Sequence, residues 1–126
     1  MNPGKVVFAF FILLAMTLNF AFFIGAPEDP GQHNVYLLFA AITVGIIATI
    51  LKFGERSQLG AVLLATSLVA DLQLIAAALV WATATFGGAG LSAETMSLIV
   101  ALSGGGLLAN LVSVILLTAE TIMSRR

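Results

Sequence analysis

Four stretches of this chain, about Val6–Ile24, Val35–Leu51, Leu59–Phe86 and Ala93–Ile122, run almost unbroken through apolar residues. A helix rises 1.5 Å per residue, so roughly 20 such residues cross the hydrocarbon core of a bilayer. All four runs reach or approach that length, and short linkers join them. Backbone in lipid must satisfy its own hydrogen bonds, which leaves only helices or a closed barrel. Long runs without alternation select the helix. The expected fold is all-α: one integral membrane domain over residues 1–126, with four transmembrane helices in an antiparallel bundle.

The punctuation agrees with this division. Gly25, Pro27 and Pro30 close the first run, and Asn34 is placed to cap the second, which stops at Gly54. Gly87-Gly88-Ala89-Gly90 ends the third, and Ser92 with Glu94 opens the fourth. Only 9% of the residues are charged, against about 25% in soluble domains, so water is an unsuitable solvent for the chain. A net charge of −1 excludes the basic footprint of a nucleic-acid binder, and the absence of cysteine excludes thiolate chemistry and disulfides. The first run is longer than the 7–15 residues of a signal-peptide core, so it is expected to stay as a span. Lys5, Lys52, Arg56, Arg125 and Arg126 all fall where this topology places one face of the membrane; the other linkers carry Glu28, Asp29, His33 and Glu94. The positive-inside pattern therefore predicts both termini in the cytoplasm.

Asp71 is the residue that raises a functional question. It lies near the middle of the third span, roughly 18 Å from the basic end of that helix. An acid there costs at least ~2.5 kcal/mol on insertion scales, so it is expected to face protein or water. Its helical face reads Gly60, Leu64, Ser67, Asp71, Ile75, Ala78, Ala82. Asn110 of span four and Asn19 of span one come out at similar depth, so a polar layer of Asn19, Ser67, Asp71 and Asn110 is expected, with Gln73 and Thr66 as a second polar edge. No basic residue shares that depth. Three roles stay open for Asp71: a neutral acid bonded to Asn110 or Ser67, an ionised group holding a cation or proton-carrying water, or a partner for a basic group on another subunit.

Small residues recur at i+4 steps in two spans: Ala41, Gly45 and Thr49 in the second, and Ala101, Gly105, Ala109 and Ser113 in the fourth. Such rows let helices approach closely and are expected to be packing seams. Gly104-Gly105-Gly106 fits either a close helix crossing or a local unwinding. Span one, crowded with Phe8, Phe10, Phe11, Phe20, Phe22 and Phe23, is expected to be a lipid-facing or peripheral helix. Lys52, Glu55 and Arg56 are expected at the headgroups, Tyr36 and Trp81 near the opposite interface, and Glu28, Asp29 and His33 in a solvated loop. With one histidine and no nucleophile–base pair or phosphate loop, neither an enzyme, a metal site nor a cofactor is expected.

The stretch Leu51-Lys52-Phe53-Gly54-Glu55-Arg56, continued by Leu59 through Asp71 to Leu74, resembles an uncharacterised family of small four-span bacterial inner-membrane proteins. That resemblance implies a location and no activity. Small multidrug transporters are similar in size but use a glutamate in the first helix, where this chain has no acid. The Asn- and Phe-rich pore motifs of fluoride channels are also not found. From the residues, the expected function is an ion-handling membrane protein, a cation or proton channel or carrier acting as a homo-oligomer. The alternative is a non-conducting accessory subunit of a larger membrane complex.

Overall fold

A computed structural model describes residues 3–124 and is helical almost throughout. Helix α1 spans Pro3–Phe23, α2 Val35–Lys52, α3 Gln58–Phe86 and α4 Ala93–Ser124, with a single 3-10 turn at Pro30–Gln32. All four are long and apolar enough to cross a membrane. Each helix begins and ends within three residues of the corresponding apolar run. Arg125 and Arg126, two of the five basic residues, lie outside the described residues.

Side-chain caps fix the helix starts. Asn34 accepts from the Tyr36 N–H at 2.9 Å, Ser57 from the Gly60 N–H at 3.0 Å, and Ser92 from the Thr95 N–H at 3.1 Å. Each satisfies a donor that the helix itself leaves free. Each helix then turns one stripe inward at alternating three- and four-residue steps. On α1 the stripe is Phe8, Ile12, Ala15, Asn19 and Phe22. On α3 it is Gly60, Leu63, Ser67, Ala70 with Asp71, Leu74 and Ala77. Helices α1 and α4 pack on one another, as do α1 with α2, α2 with α3 and α3 with α4, which closes a four-helix bundle.

The core divides into two apolar clusters on either side of mid-span. Towards the end where α1 and α3 finish, Phe22, Leu38, Leu74, Ala77, Met96, Ile99 and Val100 pack together. Towards the end where the chain begins, Phe8, Ile12, Ala48, Leu63 and Leu117 form a second cluster.

Two expectations change. Span one is a full member of the bundle, because Phe8 and Phe22 are each 1% exposed in the core while Phe10 and Phe20 point outward. Phenylalanine composition does not distinguish the two directions; the heptad-like spacing of positions 8, 12, 15, 19 and 22 does. On α3 the buried stripe bends after Asp71 to Leu74 and Ala77, and Ile75 faces outward. Buried positions that repeat every seven residues in 3.5-residue steps drift off a face drawn at i+4. Lys52 is 5% exposed, packed into the end of the bundle. Its Nζ donates to Glu55 at 2.8 Å and sits 4.4 Å from the centre of the Phe8 ring.

Candidate functional site

The mid-span acid is held by α2, not by the polar layer expected from depth. Asp71 is 7% exposed, and Thr49 Oγ1 lies 2.5 Å from its Oδ2. The same Thr49 hydroxyl lies 2.9 Å from the Gly45 carbonyl oxygen one turn earlier on α2. Asp71 Oδ1 fills the notch left by the missing side chain of Gly45, where a Cβ would stand 2.7 Å from it. Gly45 and Thr49, expected only as packing positions, are thus the acid's immediate surroundings; Ala41 of the same row is fully buried in the core. The signal was present in the sequence. A glycine and a hydroxyl residue four apart face the same way, at a depth that Asp71 shares.

The other polar residues go elsewhere. Asn19 reaches α4, where its amide donates to the Ser103 carbonyl at 3.0 Å and accepts from the Leu107 N–H at 2.9 Å in the orientation that satisfies both. Those are the two groups that an α-helix pairs with each other. Asn19 therefore grips the α4 backbone beside the glycine triplet instead of joining Asp71. Gln73 lies against Gly105, where an added Cβ would stand 2.9 Å from its Oε1. Thr66 and Ser113 hydrogen-bond to each other across α3 and α4. These two crossings fix the antiparallel register and put Asn110 about level with Val69, within one helical turn of Asp71 in depth. In the α4 row, Ser113 is buried, Gly105 and Ala109 are half-buried, and Ala101 is exposed. The buried line of α4 is instead Ser103, Gly106, Asn110 and Ser113.

Among the described residues, Ser67 Oγ, Asp71 Oδ1 and Asn110 Nδ2 are buried polar atoms without a hydrogen-bond partner. Ser67 is one turn from Asp71 on the same face of α3, so the three fall within one helical turn in depth. Atoms of this kind are few in folded proteins and each asks for a reason. The three together mark the middle of the bundle as the place where packing gives way to unused hydrogen-bonding capacity.

Helix α4 runs unbroken through Gly104-Gly105-Gly106. A Cβ on Gly104 would meet Phe23, one on Gly105 would meet Gln73, and one on Gly106 would meet Leu74 and Asn19, all at 2.9–3.2 Å for the nearest atoms. The triplet serves close approach to α1 and α3.

The opposite end of the bundle carries His33, which is buried, not solvated. Its Nδ1 lies 2.6 Å from the Phe22 carbonyl oxygen and its Nε2 2.8 Å from that of Ala26. The Nδ1 contact covers a carbonyl left over at the end of α1, and the Nε2 contact ties the ring to the linker beyond it. Asp29 accepts from the Gly31 N–H and from Gln32 Nε2, so that carboxylate is committed to its own turn. Among the described residues no three His, Asp or Glu side chains converge on one point.

A family model described as a family of unknown function (DUF6394) matches residues 32–121. The chain belongs to this family. The resemblance of residues 51–74 to an uncharacterised family is consistent with that result. No curated protein and no solved structure matches the chain. Within the DUF6394 segment lie His33, Gly45, Thr49, Ser67, Asp71 and Asn110, while α1 and its Asn19 precede it.

Proposed function

We propose that this DUF6394 protein is a small ion-handling membrane protein, a cation or proton channel or carrier working as a homo-oligomer in a bacterial inner membrane. The observation that carries the reading is Asp71: a carboxyl group 7% exposed at mid-span, with one oxygen lacking a partner and, among the described residues, no basic group bonded to it. Burying such a group is costly, and bundle packing alone is served as well by a leucine or alanine. Ser67 and Asn110 supply further unpartnered polar atoms at that depth. The orientation that suits this role keeps Lys5, Lys52 and Arg56 in the cytoplasm. One bundle of four helices encloses little space, so a continuous path is formed more readily between subunits.

A groove between α3 and α4, about 370 Å³ and lined by Ala65, Thr66, Val69, Gly105, Leu108, Ala109 and Val112, opens on the outside of the bundle. It favours a second reading, an accessory subunit docked on a larger membrane complex through small residues. Flux of protons and cations into liposomes separates the two. Wild-type flux that disappears in a folded Asp71→Asn supports ion handling. No flux from wild type, across several cations and protons, removes it and leaves the accessory role.

A further inference from the structure

Thr49 Oγ1 touches two oxygens, the Gly45 carbonyl at 2.9 Å and Asp71 Oδ2 at 2.5 Å. A threonine hydroxyl has one hydrogen to donate and lone pairs to accept with. The carbonyl can only accept, so the bond to Gly45, the usual helical back-bond of a threonine, uses that hydrogen. The contact with Asp71 then needs a hydrogen from Asp71. Were Asp71 a carboxylate, two acceptors would share one hydrogen, and neither buried contact would be fully satisfied. A separation of 2.5 Å is at the short end of O–H···O bonds.

The surroundings point the same way. Lys52 shares the α2 face of Gly45 and Thr49, yet its Nζ bonds to Glu55 at 2.8 Å. Asp71 Oδ1 is pressed against Gly45 without a partner. That position suits the carbonyl oxygen of a neutral acid, which loses far less on burial than a shared negative charge. A metal ion demands a shell of oxygen ligands. Here Oδ1 sits in the notch at Gly45, which leaves little room on that side for such a shell.

We infer that Asp71 rests as a neutral carboxylic acid donating from Oδ2 to Thr49, and that the ion handled at this site is a proton. The second part rests on the ion-handling reading above; the first does not. Release involves these three groups and one water as the proton acceptor. The proton leaves Oδ2 for water, and the Thr49 hydroxyl turns its hydrogen from the Gly45 carbonyl to the carboxylate. Reprotonation reverses both. Thr49 is thus a positioning residue whose hydrogen changes acceptor with the charge of Asp71.

Infrared spectra of the full chain in lipid vesicles at neutral pH test the protonation directly. The wild type is expected to show a protonated-carboxyl C=O band that shifts in D2O, is missing from Asp71→Asn, and moves in Thr49→Val but little in Thr49→Ser. A difference spectrum in which Asp71 contributes only carboxylate bands overturns the inference, whatever the flux. Proton flux without sodium or potassium flux is expected in the same vesicles. The band together with an alkali-cation flux lost in Asp71→Asn overturns the assignment of the proton. The band without any flux upholds the neutral acid and removes the ion-handling reading instead.

Discussion

At the scale of single residues, the site depends on a missing atom as much as on Asp71. Gly45 costs helix α2 up to ~1 kcal/mol relative to alanine, so some interaction must offset it. The offset is room for Asp71 Oδ1, which occupies the place of a Cβ at 2.7 Å. Asp71 cannot swing aside freely, because its other oxygen is bonded to Thr49. Gly45→Ala is therefore expected to destabilise the bundle by about 1–3 kcal/mol, the usual cost of overpacking a tight core. Thermal unfolding in detergent checks this, and a double-mutant cycle identifies the cause. In an Asp71→Ala background the same Gly45→Ala should be neutral or stabilising. Equal destabilisation in both backgrounds would mean that the glycine serves helix approach alone. The sequence made Asp71 conspicuous by depth, and hid its partners because depth says nothing about direction. Asn19, Asn110 and Thr49 all sit near the same level; only the packing of α3 on α2 selects Thr49.

Among the elements, α4 shows where sequence patterns suffice and where they stop. Its limits follow from Ser92 and from the length of the apolar run, and they agree with the structure to within two residues. Its inward face does not follow from small residues at i+4, since Ala101 is exposed while Ser103 and Gly106 are buried. Small side chains occur on both sides of this helix, so composition cannot choose the seam. The glycine triplet gives a test within three adjacent positions. On Gly105 a Cβ would meet the amide end of Gln73, a half-buried side chain that can move away. On Gly106 it would meet Leu74, 1% exposed, and the Asn19 amide that bonds the α4 backbone. Gly105→Ala should therefore be neutral or gain up to ~1 kcal/mol from helix propensity. Gly106→Ala should lose about 1–3 kcal/mol. Chemical-denaturant or thermal melts of the two variants side by side decide it, and the opposite ranking would show that α4 is packed on another face.

On the scale of the whole molecule, polar ties join all four helices at the end where the chain starts. Lys5 pairs with Glu120 at 3.3 Å, linking α1 to α4. Lys52 lies over the Phe8 ring, linking α2 to α1, and its bond to Glu55 holds the turn into α3. Glu55 also occupies the notch above Gly60, where a Cβ would stand 2.5 Å from its side chain. The Lys52 ammonium is buried, so removing Glu55's charge leaves an unpaired cation inside the bundle, a costlier loss than breaking a surface pair. The hydrogen bond from Lys52 holds the Glu55 carboxyl below its ordinary value of 4.5. A depressed acid stabilises the fold above its unfolded value, and that contribution disappears as pH falls through the folded value. Wild type should therefore melt higher than Glu55→Gln at neutral pH, and the gap should close once the pH drops well below 4.5. Lys52→Met separates charge from packing, since it keeps an apolar stem and leaves no cation to strand. Its melting temperature should exceed that of Glu55→Gln at neutral pH. A gap between wild type and Glu55→Gln that persists unchanged into acid would place the role of Glu55 in its fit against Gly60 rather than in its charge.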